Sequence, residues 1–95
     1  MDDSTPIQTT RATYIDIENR IIDEYVPLIG AYGFAVYVAT LRYLNEQTNH
    51  CEASYATIAR KLGMNQGAVI RHVKNLKRLK LLSPQLSFKE DGAGT

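Results

Sequence analysis

The chain's 95 residues, 44% of them hydrophobic, are enough for one small folded domain and leave no room for a second. The net charge of +1 conceals a segregation of charge, because residues 1–52 hold three basic and eight acidic side chains. Residues 53–89 hold no acidic side chain and eight basic ones, which are Arg60, Lys61, Arg71, Lys74, Lys77, Arg78, Lys80 and Lys89. A segment charged in this way attracts polyanions.

Catalytic, metal-binding and membrane-spanning functions have little support in the sequence. Cys51 is the only cysteine, no paired histidine spacing accompanies it, and neither common glycine-rich phosphate loop occurs. The longest apolar run, around residues 34–39, is far shorter than the roughly 20 residues of a membrane-spanning helix. No cleavable signal is recognisable at the N-terminus. We therefore expect a cytoplasmic protein that is not an enzyme and uses no cofactor, metal or small-molecule ligand.

The N-terminal residues predict a tail followed by a short helix. Residues 1–13 are polar and lack apolar periodicity, so we expect a flexible tail before a domain at residues 14–95. After a short extended arm, an amphipathic helix is predicted from Asn19, with Asp23 and Glu24 opposite its apolar stripe. Pro27 disfavours a helical conformation of the residue before it, which predicts that this helix ends near Val26.

A long helix buried on most sides is predicted to follow a hinge at residues 30–33, where Gly30, Ala31 and Gly33 are small. Phe34, Val38 and Leu41 recur at helical spacing along it and are joined by Tyr37 and Leu44. Its tyrosines, Tyr32, Tyr37 and Tyr43, are interpreted as core and interface aromatics. The helix ends in the polar linker 45–49, and residues 51–53 predict a short strand.

The next two helices have the pattern of a helix-turn-helix. Ser54 has the chemistry of an N-cap for a helix that ends at Leu62. Gly63 supplies a residue tolerant of the left-handed conformation, and Asn65 caps the second helix. At 100° per residue, that second helix turns Val69, Val73 and Leu76 toward the core. The opposite face carries a basic ridge, defined as Gly67, Arg71, Lys74 and Arg78 at spacing i, i+4, i+7, i+11.

The C-terminal residues predict part of a β wing. Residues 81–89 read as its outgoing strand, with Pro84 at a sheet edge and a turn at residues 91–92. A returning strand would need roughly five more residues, so we expect either a fragment of a longer protein or a naturally short wing. The predicted fold is mainly α, a winged helix-turn-helix with a three-helix core, an extra N-terminal helix and a short incomplete wing.

The runs SYATIARKLG at residues 54–63 and MNQGAVIRHVKNL at residues 64–76 resemble the winged helix-turn-helix family of bacterial and phage DNA-binding proteins. The similarity covers residues 34–88. Residues 19–30 and 32–37 look like the lead-in of N-terminal domains of plasmid and phage replication-initiation proteins and DnaD-type primosome proteins. The resemblance implies DNA binding and often dimerisation. Family members usually carry glycine where this chain has Lys80, which predicts a less sharply turned helix end.

A basic ridge on the second helix of a helix-turn-helix suits the major groove of double-stranded DNA, our expected partner. Gln66, Gly67 and Arg71 lie where base edges are read, although Gln66 could instead help to cap the helix. Expected phosphate contacts are Ser54, Tyr55, Lys61, Lys74, Arg78 and Lys89. His72 lies on the flank of the core stripe and is predicted to be a packing residue.

Three alternatives stay open at this stage. Five apolar side chains could form a homodimer interface or pack within the monomer: Ile15, Ile17, Ile21, Ile22 and Tyr25. The domain could serve a replication initiator or a transcriptional regulator. It could also be a protein assembly module without DNA contact, because fold alone does not settle function. The acid-free segment favours DNA.

Overall fold

The computed structural model describes residues 15–90. The predicted tail at residues 1–13 and the predicted turn at residues 91–92 lie outside this range. A π-helical turn at Ile21–Tyr25 precedes three helices, which are α1 (Val26–Tyr43), α2 (Tyr55–Leu62) and α3 (Gln66–Arg78). The strands are β1 (Leu44–Asn45), β2 (His50–Cys51) and β3 (Ser87–Phe88). This mainly α architecture with one small sheet agrees with the predicted winged helix-turn-helix.

The first helix does not end at Val26, so the end predicted from Pro27 is wrong. Val26 is helical, with φ −57° and ψ −39°, and its N–H bonds to the carbonyl of Ile21 in the wide π pattern. Pro27 occupies the first turn of α1, where a missing N–H costs little.

The predicted hinge is confirmed at Gly30. Its φ of 78° and ψ of 171° split α1 into two helical segments. A Cβ atom at Gly30 would meet nothing within 4 Å, so backbone conformation alone favours glycine there.

The buried face of α1 overlaps the predicted one only at Tyr37. Tyr37 is buried as predicted, together with Gly33, Val36 and Thr40, whereas Phe34, Val38, Leu41 and Leu44 are only half-buried. Val36 and Tyr37 belong to a core cluster that also includes Val69, Val73 and Leu76 of α3. Tyr32 is 67% exposed, so its interpretation as a core aromatic is wrong.

The helical stretch Ile21–Tyr43 contains an 18-residue window with a mean hydropathy of 1.3 and is long and apolar enough to cross a membrane by length and composition alone. This stretch is longer than the apolar run considered in the sequence. It is interrupted at Gly30, and it contributes Val36, Tyr37 and Thr40 to the packed core. Core helices of globular domains meet the same criterion, so the stretch is weak evidence for a membrane span.

The sheet has the order β1-β2-β3. Strands β1 and β2 are antiparallel, with Leu44 opposite Cys51, whereas β2 and β3 are parallel, with Cys51 opposite Phe88. The strand predicted over residues 81–89 is therefore much too long. Leu82 and Leu86 turn into the core, and Pro84 lies in an exposed turn instead of at a sheet edge. Proline cannot donate to a strand ladder, and burial of the two leucines bends the chain around it.

The end of α3 is sharply turned, contrary to the expectation from Lys80. The N–H of Lys80 bonds to the carbonyl of Lys77, and the N–H of Leu81 bonds to the carbonyl of Leu76, both at 3.0 Å. This pair of bonds defines a Schellman motif, in which the residue after the cap is left-handed. Lys80 adopts that conformation, with φ 64°.

Replacing Lys80 with glycine is expected to raise the free energy of unfolding by about 0.5–1 kcal/mol. A left-handed L-residue costs about 1–2 kcal/mol, and the greater freedom of glycine in the unfolded chain offsets part of that gain. Urea denaturation measures the change. Lys61→Gly is the matched control, since Lys61 is exposed within α2 and glycine there should lower stability by about 1 kcal/mol. Equal destabilisation of both variants would contradict the assigned conformation.

Candidate nucleic-acid interface

The start of α2 is fixed by the side chain of Ser54. Its hydroxyl oxygen accepts a hydrogen bond from the N–H of Thr57 at 3.1 Å, and the hydroxyl donates to Oγ1 of Thr57 at 3.0 Å. The predicted N-cap is confirmed. Ser54 is only 5% exposed, so the hydroxyl that was expected to reach a phosphate is already used inside the domain.

The turn between α2 and α3 follows the predicted pattern. Gly63 is left-handed, with φ 68° and ψ 33°. The N–H of Met64 bonds to the carbonyl of Ala59 at 2.9 Å, and Met64 packs half-buried against the core. Oδ1 of Asn65 accepts from the N–H of Ala68 at 2.7 Å and thereby caps α3. These local bonds set the angle at which α3 leaves α2.

The two faces of α3 are the predicted ones. Val69, Val73 and Leu76 are at most 1% exposed. The whole basic ridge is exposed on the other side of the helix. The helix between residues 66 and 78 is continuous, so the four residues of the ridge lie along one unbroken helix.

The N-terminal end of the ridge is open. Gln66 is exposed, and a Cβ atom on Gly67 would meet only Oδ1 of Asn65, at an ordinary 3.5 Å. Packing therefore does not require glycine at position 67. The missing side chain leaves the helix backbone uncovered, which permits close approach of a ligand.

No carboxylate in the described part of the chain pairs with the ridge. Within residues 15–90 the only ion pair joins Arg20 and Glu24, at 3.1 Å. Arg78 donates from Nη2 to Oδ1 of Asn75, a neutral group on its own helix. The charges of Arg71, Lys74 and Arg78 thus stay available to a polyanion as far as the described residues are concerned.

Lys77 has a structural contact that the sequence did not indicate. Its Nζ donates to the carbonyl of Leu86 at 2.8 Å and ties α3 to the segment before β3. It lies on the flank of α3 and is half-buried. The only signal in the sequence was its position between the two faces of the predicted helix.

The remaining expected phosphate contacts differ in exposure. Lys61 on α2 and Lys89 after β3 are exposed. The ring of Tyr55 is half-buried and stacks on Phe88, with 4.6 Å between ring centroids. Burial raises the pKa of the Tyr55 hydroxyl. Tyr55 therefore packs α2 against β3. Because its ring face is covered by Phe88, a phosphate could contact Tyr55 only at the edge of the ring.

His72 packs between α3 and α1, as predicted. A Cβ atom on Gly33 would lie 3.3 Å from Nδ1 of His72, which shows how closely the two helices approach. Burial, together with the neighbouring charge of Arg71, lowers the pKa of the His72 imidazole. The ring is therefore neutral at pH 7, and the positive charge of α3 comes from its lysines and arginines.

Cys51 is a buried structural thiol. Its Sγ lies 3.9 Å from the carbonyl oxygen of Thr40, and burial raises the pKa of the thiol. Within residues 15–90, no group of three or more histidine, cysteine, aspartate or glutamate side chains could hold a metal ion. A thiol with a raised pKa is a weak nucleophile at neutral pH.

The five candidate dimer residues do not form one exposed surface. Ile21 is buried in the monomer, and Ile15, Ile17 and Tyr25 are half-buried. Ile22 alone is exposed, at 51%. The intramolecular alternative therefore accounts for most of this set.

A family model described as a helix-turn-helix domain matches residues 29–82, more than half of the chain. The chain belongs to this family of helix-turn-helix domains, a class of DNA-binding module that is typically non-enzymatic. The matched range contains α2, the turn, α3 and most of α1. No curated protein and no solved structure matches the chain significantly.

Proposed function

We propose that this domain binds double-stranded DNA by placing α3 in the major groove. The observation that carries the proposal is the exposed basic ridge on α3, opposite a face that is fully packed in the core. The recognition helix of a helix-turn-helix places its N-terminal residues against base edges. Gln66, Gly67 and Arg71 occupy that end of α3 and are the proposed base contacts.

Phosphate contacts would supply most of the affinity. Lys61, Lys74, Arg78 and Lys89 are exposed cations suited to this role. Ser54 would contribute through the backbone at the start of α2, and Tyr55 only through its ring edge. Because such contacts release counterions, four to six of them predict a slope of about −4 to −5 for log K against log salt concentration.

The test is the affinity of the purified domain for a random duplex at several salt concentrations, measured by fluorescence anisotropy. A slope of about −4 to −5 is expected. A slope near zero, or no binding at low salt, would contradict electrostatic capture by the ridge.

Arg71 is the proposed reader of sequence, since its forked donors match the edge of guanine. Once a preferred site has been selected from random duplexes, Arg71→Ala should reduce discrimination between that site and a mismatched one by about 1–3 kcal/mol. Lys74→Ala should weaken binding to both sites equally. The comparison of both variants on both duplexes measures the difference. Loss of affinity without loss of discrimination in Arg71→Ala would mean that Arg71 reads no base.

The resemblance to replication-initiation and primosome proteins supports the proposal that the domain serves a replication initiator or a transcriptional regulator of a bacterial or phage-infected cell. Both roles require DNA binding by this domain. We also propose that the domain dimerises through its N-terminal segment, where Ile22 is the exposed apolar side chain. A monomeric mass by sedimentation at high concentration would remove it.

Protein assembly is the competing function, and one surface favours it. An open apolar groove of about 470 Å³ lies between α1 and α2, lined mainly by side chains such as Phe34, Val38 and Leu62. A domain that is not retained on heparin and does not shift a random duplex at low salt would support assembly over DNA binding.

A further inference from the structure

Tyr32 is an exposed aromatic residue next to the helix-turn-helix. It lies in the first turn of the second segment of α1, two residues after the Gly30 kink and next to Gly33. Its relative exposure of 67% is the highest among the large hydrophobic residues at positions 15–90. Packing does not explain a tyrosine at this position, because the core side of this part of α1 is formed by its neighbours Ile29, Gly33 and Val36.

Tyr32 lines the same cavity as Arg71. This open cavity of about 270 Å³ lies between α1 and the helix-turn-helix, and the turn residues Gly63, Met64 and Asn65 complete it together with Ala68 and His72. It is smaller than the roughly 300–1,000 Å³ that cover a whole small ligand. A cavity of this size can receive one group of a larger molecule.

The position of Tyr32 is fixed by the helix packing beneath it. Gly33 brings the backbone of α1 so close to α3 that even a methyl group would come within 3.3 Å of His72. The backbone of Tyr32, next to Gly33 in the chain, is therefore held beside α3.

The chemistry of the cavity suits an anion. Among residues 15–90, no aspartate or glutamate lines it. Arg71 supplies a positive charge, and the 13-residue helix α3 begins beside Asn65, where the helix dipole adds a partial positive charge. The hydroxyl of Tyr32 can donate a hydrogen bond, and tyrosine hydroxyls are common donors to DNA phosphates.

We propose that the Tyr32 hydroxyl donates a hydrogen bond to a phosphate of the DNA strand that passes over the turn. The interface would then extend from the helix-turn-helix onto α1. This inference rests on the proposed function, since it names a further contact at the same DNA surface.

The test compares the anisotropy of a labelled duplex with wild-type protein, Tyr32→Phe and Lys74→Gln over a range of salt concentrations. Tyr32→Phe should lower affinity about tenfold or more, because it removes one hydrogen bond to a charged group. Its salt slope should stay unchanged, because a neutral hydroxyl releases no counterion. Lys74→Gln should instead reduce the magnitude of the slope by about 0.9. Leu28→Ala is the control, since Leu28 is an exposed residue of α1 that does not line the cavity.

Tyr32→Phe that binds as tightly as the wild type, while Lys74→Gln binds more weakly, would overturn the inference and leave the proposed function standing. If the ring of Tyr32 instead stacks on a base, Tyr32→Phe will bind as tightly as the wild type and Tyr32→Leu will bind more weakly. If the wild-type domain binds no duplex at low salt, the proposed function and the inference both fall. An unchanged melting temperature of Tyr32→Phe would show that any loss of affinity is not a loss of folding.

Discussion

Replacing Lys74 and Arg78 together with glutamine is expected to lower the affinity for duplex DNA about thirty- to hundredfold at 100 mM salt. Both side chains are exposed on α3, one turn apart, and neither pairs with a carboxylate within the described residues. A charge-assisted contact to phosphate contributes about 1–1.5 kcal/mol at an exposed site, and the two contributions should add roughly. The slope of log K against log salt should fall in magnitude by about 1.8, since two counterions fewer are released.

The control for this result is Arg20→Gln. It removes the same charge as either single replacement, but from the N-terminal helical segment, where Arg20 pairs with Glu24. If DNA responds only to the total charge of the protein, then Arg20→Gln and Lys74→Gln will weaken binding equally. If it binds the ridge, only Lys74→Gln and Arg78→Gln will change the salt slope. Equal slopes in all three variants would contradict the proposed docking of α3.

Replacing Leu76 with alanine is expected to lower the free energy of unfolding by about 3 kcal/mol. Leu76 is fully buried and belongs to the cluster in which α3 packs against α1. Removal of a buried leucine side chain loses its transfer free energy and leaves a cavity, at a cost of about 2–5 kcal/mol. A small domain has only about 5–15 kcal/mol in total. The melting temperature should therefore fall by about 12–24 °C.

Leu28→Ala is the matched control for the stability measurement. It makes the same chemical change in α1, but Leu28 is 66% exposed, so the expected change is within about 0.5 kcal/mol. Both variants are compared by urea denaturation, with the slope of the transition checked for two-state behaviour. A small effect of Leu76→Ala would mean that α3 is not held by the core in the way described.

The helix-turn-helix was predictable because its determinants are local. Ser54 and Asn65 cap the helices that follow them through bonds to residues three positions away. Gly63 takes the left-handed conformation that only a few residue types adopt readily. Capping bonds and backbone preferences act within one turn of chain, so the sequence nearby contains all the information that they require.

The wrong predictions share a different cause. Pro27 disfavours a helical conformation of Val26 in an isolated chain. In the folded domain the helix continues through Val26, with a π turn before it and the buried Ile29 after it. Lys80 is left-handed although lysine disfavours it, because the Schellman bonds close the helix and Leu82 is pulled into the core. In both places tertiary packing outweighs a local preference of about 1–2 kcal/mol.

The candidate site was predictable in part. The basic ridge follows from spacing alone, since residues three and four apart share a helix face. The proximity of Tyr32 and Arg71, 39 positions apart in the chain, does not follow from any spacing. The bond from Lys77 to Leu86 likewise depends on where the chain goes after α3.

The amino-acid sequence by itself determined the extent of α2, the start of α3, the turn between them and which residues of α3 face outward. Each of these rests on hydrogen bonds or periodicity within a few residues. Only the tertiary structure decided which face of α1 is buried, where the chain beyond α3 joins the sheet, and that Tyr32 stands beside the recognition helix. Those features depend on contacts between segments distant in the chain, which form only when burial of a common core repays the entropy of bringing them together.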